Sequence, residues 1–418
     1  MLSTLLLLLP ILIPQGTTVY VPDDFGTIQA ALTGVSAGDT IIVKPGTYIE
    51  PGIDFLGKGV TLVSEKGASQ TILDADFQDS VVIFHSAEGR DSVLDGFTIT
   101  NGKQWDGGGI LVKREGITGD APSPVIQNCI IIANEGTGGG GGMAISDGAS
   151  PLVRNCLFRE NFTLNYHGAA VVVFDSFPEF QSCTFHENET VGMGGAIAIW
   201  GDTSKVVISH SIMSENTPDN IAKVSGNPMI KMSYSLADGD SSASWFGANC
   251  IDADPILVSG NLGKDFLGRI STGQDSDSPC IDAGDPNLEP RIGTTHLDRI
   301  IDLETLDIGF HHYLNTPVMQ VMNLNAGESA TFHMSGASPS DALIMAYSFQ
   351  GGGPISTYLG PVYLSPPYHM MPTMFANEDG VLEFSSTIPT TFKGRSVWFQ
   401  GRNHSTMQLT NGIAAVVQ

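Results

Sequence analysis

Ser-Pro-Val-Ile-Gln-Asn-Cys-Ile-Ile-Ile-Ala-Asn (123–134), Ser-Pro-Leu-Val-Arg-Asn-Cys-Leu-Phe-Arg-Glu-Asn (150–161), Phe-Pro-Glu-Phe-Gln-Ser-Cys-Thr-Phe-His-Glu-Asn (177–188) and Lys-Val-Val-Ile-Ser-His-Ser-Ile-Met-Ser-Glu-Asn (205–216) are one pattern written four times. The matched positions Cys129, Cys156, Cys183 and Ser211 recur after 27, 27 and 28 residues. A fainter copy, Gly96-Phe-Thr-Ile-Thr-Asn101, precedes them. Within each copy apolar and polar residues alternate, which is the period of a strand; a helical repeat would need longer runs at 3.6. A fixed period of this length marks a solenoid, whose equivalent residues stack about 4.8 Å apart from coil to coil.

Alternation turns the Cys column inward, together with Ile126, Val153, Phe180 and Ile208 before it and Ile131, Phe158, Phe185 and Met213 after it. Thiols spaced one coil apart behave as small hydrophobes; zinc ligands would cluster within a few residues. Pro124, Pro151 and Pro178 suit strand starts, where a missing N–H is tolerated. Asn128 and Asn155, and likewise Asn134, Asn161, Asn188 and Asn216, suit turns in which stacked amides bond to each other and to backbone. A second motif runs out of phase, as Gly142-Met-Ala-Ile145, Gly168-Ala-Ala-Val171 and Gly194-Gly-Ala-Ile197 at spacings of 26 and 26, with Gly107-Gly-Gly-Ile110 as an irregular earlier member.

The ends of a solenoid must be covered. Thr27-Ile-Gln-Ala-Ala-Leu32 predicts a short amphipathic helix plugging the first mouth, followed by strands at Thr40–Val43, 59–63 and 80–84. Pro228 to Leu236 reads as a last, degraded coil, and the Asp-, Pro- and Gly-rich stretch from Asn249 to Tyr313 as the closing segment. Beyond it, runs such as Ala342–Phe349, Val381–Phe384, Val397–Gln400 and Ile413–Val417 between Gly/Pro/Ser turns predict a sandwich. The apolar run from Leu5 to Ile13 is too short to span a bilayer and reads as the core of a secretory leader. The expectation is an all-β chain: residues 1–17 a signal peptide, 18–313 a right-handed parallel β-helix with a helical cap and a closing segment, and 314–418 an Ig-like β-sandwich.

The Gly-Gly-Ala-Ile and Phe-x-x-Asn motifs (Gly194 to Ile197; Phe158 to Asn161; Phe185 to Asn188) resemble the repeats of bacterial polymorphic outer-membrane proteins. More broadly they look like the β-helix repeats of the pectin-lyase-like superfamily. The opening Tyr20 to Leu32 with Gly38 to Tyr48, and the tail Asp252 to Pro255, Ser278 to Asp285 and Leu306 to Tyr313, are similar to the start and the closing segment of secreted bacterial β-helix proteins. The resemblance covers residues 18–313 and implies an extracytoplasmic bacterial protein, secreted or on the cell surface. Autotransporter relatives carry a membrane barrel after the solenoid; the residues after Tyr313 lack its long amphipathic strands, so no barrel is expected.

Forty-four Asp and Glu against 19 Lys and Arg give a formal charge of −25. Such a chain repels a phosphate backbone and anionic lipid, so nucleic acid is not an expected partner, and no later segment resembles a transmembrane helix. Solubility accounts for the charge; Asp-based Ca²⁺ binding or a neutral or cationic partner would also fit it. Asp252, Asp254, Asp282 and Asp285 offer oxygen ligands for Ca²⁺, although ordinary Asp turns account for them. No other metal or cofactor is implied, and Cys250 and Cys280 are the pair available for a disulfide in an oxidising compartment.

Within the resembling superfamily, lyases use an Asp/Glu cluster holding Ca²⁺ beside an Arg or Lys base, and hydrolases use Asp residues in fixed local motifs. Neither set is legible here: there is no Gly-His-Gly and no Arg-Ile-Lys. The best candidate column lies three residues after the Cys position: Ile132, Arg159, His186 and Ser214. Alternation turns it outward, making Arg159 and His186 neighbours on an exposed face, where they would suit a carboxylated sugar or serve as an ordinary solvated surface. Trp105-Asp106 and Trp200-Gly-Asp202 set aromatics beside carboxylates at strand ends, for stacking on sugar rings or for loop packing. The expected function is therefore structural, adhesive or carbohydrate-binding, with a polysaccharide or another cell-surface component as partner. The alternative is a polysaccharide lyase or glycoside hydrolase acting on acidic polysaccharide.

Overall fold

The computed structural model describes residues 16–116, 119–260, 263–270, 273–288, 293–296, 305–312, 318–337, 340–357, 360–377, 381–404 and 406–418. The signal peptide expected over 1–17 lies almost wholly outside these residues, and so does the boundary expected at Tyr313. Contacts divide the chain into two compact units. One holds residues up to Pro255 with Ala283–Asp285 and Ile308–Phe310; the other holds Ile256–Asp282, Pro286–Asp307 and His311–Gln418.

The first unit is a parallel β-helix. Among the described residues its longest sheet has nine strands, from Thr18–Val21 through Leu152–Arg154 to Met229–Ser233, each hydrogen-bonded to its equivalent one coil away. The second has eight, from Gly46–Ile49 through Leu157–Arg159 to Leu236–Ala237, and the third seven, from Ile53–Asp54 through Val171–Phe174 to Ile221–Ser225. A short fourth ribbon pairs Lys103–Asp106, Glu135–Gly139, Phe162–Thr163 and Glu189–Thr190.

Register follows the repeat residue by residue. Ile126, Val153, Phe180 and Ile208 face one another in the first sheet, and Ile131, Phe158, Phe185 and Met213 in the second. All eight are fully buried, as are Cys129, Cys156 and Cys183. Phe158 and Phe185 stack with ring centroids 4.8 Å apart. Burial, with Cys129 alongside, pushes the Cys156 thiol well above its ordinary pKa, so it stays a neutral core group. The Pro residues start strands, and the carbonyls of Pro124 and Pro151 accept from the N–H groups of Leu152 and Glu179 at 2.9 and 3.1 Å.

Two turns recur at every coil. Asn128, Asn155, Ser182 and His210 take φ between +50° and +55° between the first and second sheets, and Ala133, Glu160, Glu187 and Glu215 between +52° and +55° after the second. The expected Asn ladder follows: the Asn134, Asn161 and Asn188 side chains donate to Asn161, Asn188 and Asn216 at 3.0, 3.0 and 2.9 Å, all buried. Asn155 donates likewise to Asn128 at 2.9 Å. Each amide meets its own image one coil away, so its buried polar atoms are satisfied by repetition.

Helix α1 (Ile28–Gly34) plugs the first mouth with Ile28, Ala31 and Leu32 fully buried. Charged groups serve both its ends: the Glu50 carboxylate accepts from the N–H of Ile28 and Gln29 at 2.9 and 3.1 Å, and Lys58 Nζ donates to the carbonyls of Leu32, Thr33 and Val35. At the other end Trp245 is buried against the core with Ala243, Phe246 and Cys250. The cover there thus begins before Asn249, where the sequence placed it.

Besides two two-stranded antiparallel pairs, Leu257–Gly260 with Gly263–Leu267 and Gly351–Thr357 with Gly360–Leu364, the described residues of the second unit form two larger antiparallel sheets. Val318–Met322, Ser329–Ser335 and Leu382–Thr387 form one; Ala342–Ser348, Tyr368–Met370, Ser396–Asn403 and Leu409–Val416 belong to the other. Met319, Phe332 and Met334 from the first share a core with Leu343, Met345, Val397 and Phe399 from the second. The all-β class, a solenoid followed by antiparallel sheets, stands as read from the sequence.

Candidate functional site

The Gly-rich motif builds the most distinctive surface of the solenoid. Ile110, Met143, Val171 and Ile197 are in register in the third sheet. The glycines that precede them by three, Gly107, Gly140, Gly168 and Gly194, all take φ between +61° and +71°. A Cβ at Gly168 would lie 2.3 Å from the Val171 carbonyl oxygen, so the turn admits glycine alone. The equivalent of Gly168 is therefore Gly140, and the sequence alignment that matched it to Gly142 was two residues out of phase. The loop after Phe162 is one residue longer than those after Glu135 and Glu189, so the glycines are spaced 28 and then 26, and equal spacing of 26 was the wrong guide.

The position two residues before each of these glycines holds Trp105, Gly138, Tyr166 and Gly192 in successive coils. Gly138 has no side chain, and Trp105 lies against it: a Cβ there would be 2.5 Å from the indole. The gap lets Trp105 and Tyr166 meet across an intervening coil, their ring centroids 5.9 Å apart in an edge contact. Tyr166 adjoins His167 at 6.1 Å, His167 adjoins Trp200 at 5.0 Å, and Trp200 stacks on Phe174 at 4.8 Å. Five rings thus run unbroken across the coils. Trp105 is 59% and Tyr166 44% exposed; Leu164, Val191 and Met193 beside them are exposed as well. Beneath lie Ala144, Val172 and Ala198, which form a separate apolar cluster outside the sheet with Leu111, Phe174 and Trp200. His167 Nδ1 accepts from the Met193 N–H at 2.8 Å, fixing the ring in its place.

Of the sequence candidates, this ribbon joins Trp105 and Trp200, and Asp106 sits beside it. Burial raises the Asp106 carboxyl, an effect partly offset by Lys113. Asp202 instead closes a turn, accepting from the Asn227 N–H at 2.7 Å. Tyr166 and Phe174 were missed, although counting back two residues from the motif glycines would have found Tyr166 with Trp105.

Arg159 and His186 are register neighbours as expected, between Ile132 and Ser214. They do not form an exposed face: Arg159 is 5% and His186 7% exposed. Residues Ile308–Phe310, which belong to the same unit, lie against this sheet. The Phe310 N–H donates to Thr184 Oγ1 at 3.0 Å, and the Gly309 N–H to the His210 carbonyl at 2.8 Å. Arg159 pairs with Glu160 at 2.9 Å and with Glu187, spanning two coils, and His186 Nδ1–H donates to the Ser214 carbonyl at 3.1 Å. Among the described residues, His186, Glu187 and Glu215 are the one group of three whose ligand atoms lie within 4.8 Å of one another. The four Asp residues considered for Ca²⁺ make no such group; Asp252 accepts from the N–H of Gly239 and Ser241 at 2.7 and 3.2 Å. Cys250 and Cys280, the pair available for a disulfide, are free thiols. Each has its own environment: burial raises both thiols, and the Cys250 sulfur points to the Ala248 carbonyl.

The second unit holds a buried polar cluster. Burial alone would raise the Asp307 carboxyl, but donors from His296 (3.0 Å), Thr295 and the Asp282 N–H (2.7 Å) hold it below the usual range. His312, stacked on Phe266 at 3.9 Å, is pushed down to about 3 by burial and then by His311. These groups tie the closing segment together.

Among the described residues no helix is long and apolar enough to cross a membrane. No curated protein matches the chain. Residues 58–235 match the family described as the right-handed β-helix region; they lie within the coils that stack from Thr18 to Ala237, and this part of the chain is a β-helix repeat.

Proposed function

We propose that this chain is a secreted or cell-surface β-helix protein that binds carbohydrate through the Trp105–Tyr166–His167–Trp200–Phe174 ribbon. The observation that carries the reading is the continuity of the rings, with two of them open to solvent. Aromatic faces stack on the C–H faces of sugars, and an exposed contiguous apolar strip on a folded chain marks an interaction site. The resemblance to pectin-lyase-like and polymorphic outer-membrane-protein repeats, a leader over 1–17 and a C-terminal sandwich over 314–418 accord with an extracytoplasmic role. Affinity electrophoresis of the whole chain in gels containing polysaccharide tests it. Trp105→Ala removes an aromatic platform worth roughly 1.5–3 kcal/mol, so retardation falls by about tenfold or more. Unchanged retardation would refute the reading.

One observation favours an enzyme as the second reading: Glu160, Glu187 and Glu215 stack on successive coils beside Arg159 and His186. A lyase would place a cation among such carboxylates. Release of unsaturated products from acidic polysaccharide, abolished by Glu187→Gln, would replace binding with catalysis.

A further inference from the structure

We infer that the ribbon takes an uncharged glycan, and excludes both uronate and amino-sugar polymers; this rests on the binding reading above. The charges beside the rings decide it. Apart from Lys113, which acts on Asp106, the segments that carry or border the ribbon, 103–106, 135–140, 162–168, 174–175, 189–194 and 200–203, contain one Lys and five carboxylates. That Lys103 is already paired with Glu135 at 2.8 Å. A uronate chain laid along the rings would bring its carboxylates against Asp106, Asp175, Glu189 and Asp202, a like-charge arrangement that costs affinity. The net charge of −25 works in the same direction at longer range.

A polycation is disfavoured for a different reason. Some carboxylates beside the rings are directed into the fold rather than toward a ligand: Asp175 accepts from Thr203 Oγ1 at 2.7 Å and Asp202 from the Asn227 N–H at 2.7 Å, as does the nearby Asp219 from the Gly194 N–H. What remains for a ligand is apolar ring surface with oxygen acceptors at its margin, which matches the C–H faces and hydroxyl rims of neutral sugars.

The test is calorimetric titration of the whole chain with three hexasaccharides: a neutral β-glucan, a galacturonate and a glucosamine oligomer, each at roughly 0.02 and 0.5 M NaCl, which changes screening several-fold. The neutral hexamer is expected to bind with little salt dependence. Its affinity should fall about tenfold or more in Trp105→Ala and in Tyr166→Ala, as expected for loss of a stacked ring. Phe77→Ala, an exposed aromatic outside the ribbon, should leave it unchanged. If the galacturonate or the glucosamine oligomer binds as tightly or more tightly and the ribbon variants still abolish it, the inference of an uncharged ligand is overturned while the binding reading stands. If no hexamer binds, or if binding is indifferent to Trp105 and Tyr166, the binding reading itself fails and the inference goes with it.

Discussion

Single residues in this chain are chosen by what the surrounding backbone leaves room for. Gly168 and Gly239 separate the two costs of replacing such a glycine. Both have positive φ, +71° and +75°, but a Cβ at Gly239 meets nothing within 4 Å, whereas at Gly168 it runs into the Val171 carbonyl. Gly239→Ala should cost only the left-handed penalty, about 1–2 kcal/mol. Gly168→Ala should cost more, on the order of 3 kcal/mol, because the backbone itself must move. Denaturant unfolding of the two variants checks the difference; equal midpoints would show that the turn relaxes freely. The sequence made the inward columns legible at this scale, since Cys156 and Phe158 repeat with a strict period and alternate with polar residues. It made Arg159 illegible. Alternation says only that a side chain leaves the barrel, and what lies outside the barrel here is a segment some 150 residues further on, held by the Phe310 N–H on Thr184.

At the scale of elements, helix α1 shows how little chain is needed to close an end. Seven residues would be marginal alone, but three buried side chains and charged partners at both termini hold them. Leu32→Ala removes a fully buried side chain and should cost about 2–5 kcal/mol. The loss should be local: in hydrogen exchange, the amides of Thr40–Val43 should lose protection well before those of Val171–Val173, because each coil contacts only its neighbours. Uniform loss across the sheet would show one cooperative block. Helix and strands were readable from their patterns, whereas the fourth ribbon was not. Its pairing at Glu135–Gly139 uses three glycines and almost no apolar alternation. The ribbon of rings was hidden for a related reason: Trp105 lies in the strand Lys103–Asp106, Tyr166 in the turn before Gly168 and Trp200 at the end of the strand Ile197–Trp200, so no fixed period connects them.

For the whole molecule, acid should act first on the second unit. His312 is neutral in the folded state down to about pH 3, while in the unfolded chain it protonates near its ordinary value of about 6.5. The unfolded state therefore binds more protons below about pH 6.5, and stability falls by up to about 1.4 kcal/mol per pH unit as pH drops toward 3. Asp307 has the same sign: its depressed carboxyl contributes stability above its unfolded pKa that is lost as pH falls through the folded value. Hydrogen exchange at falling pH should show the strands from Val318 to Val416 opening while Val171–Val173 stay protected; the reverse order would contradict both assignments. The plugged mouth has one more consequence. A stack of identical coils has no intrinsic length, and its uncovered end offers the same register and the same Asn ladder to any other stack. Helix α1 makes the first coil unlike the rest, so it acts as a chain terminator against head-to-tail growth. A chain stripped of it would bare one end of the stack, open to pairing with the same end of a second chain.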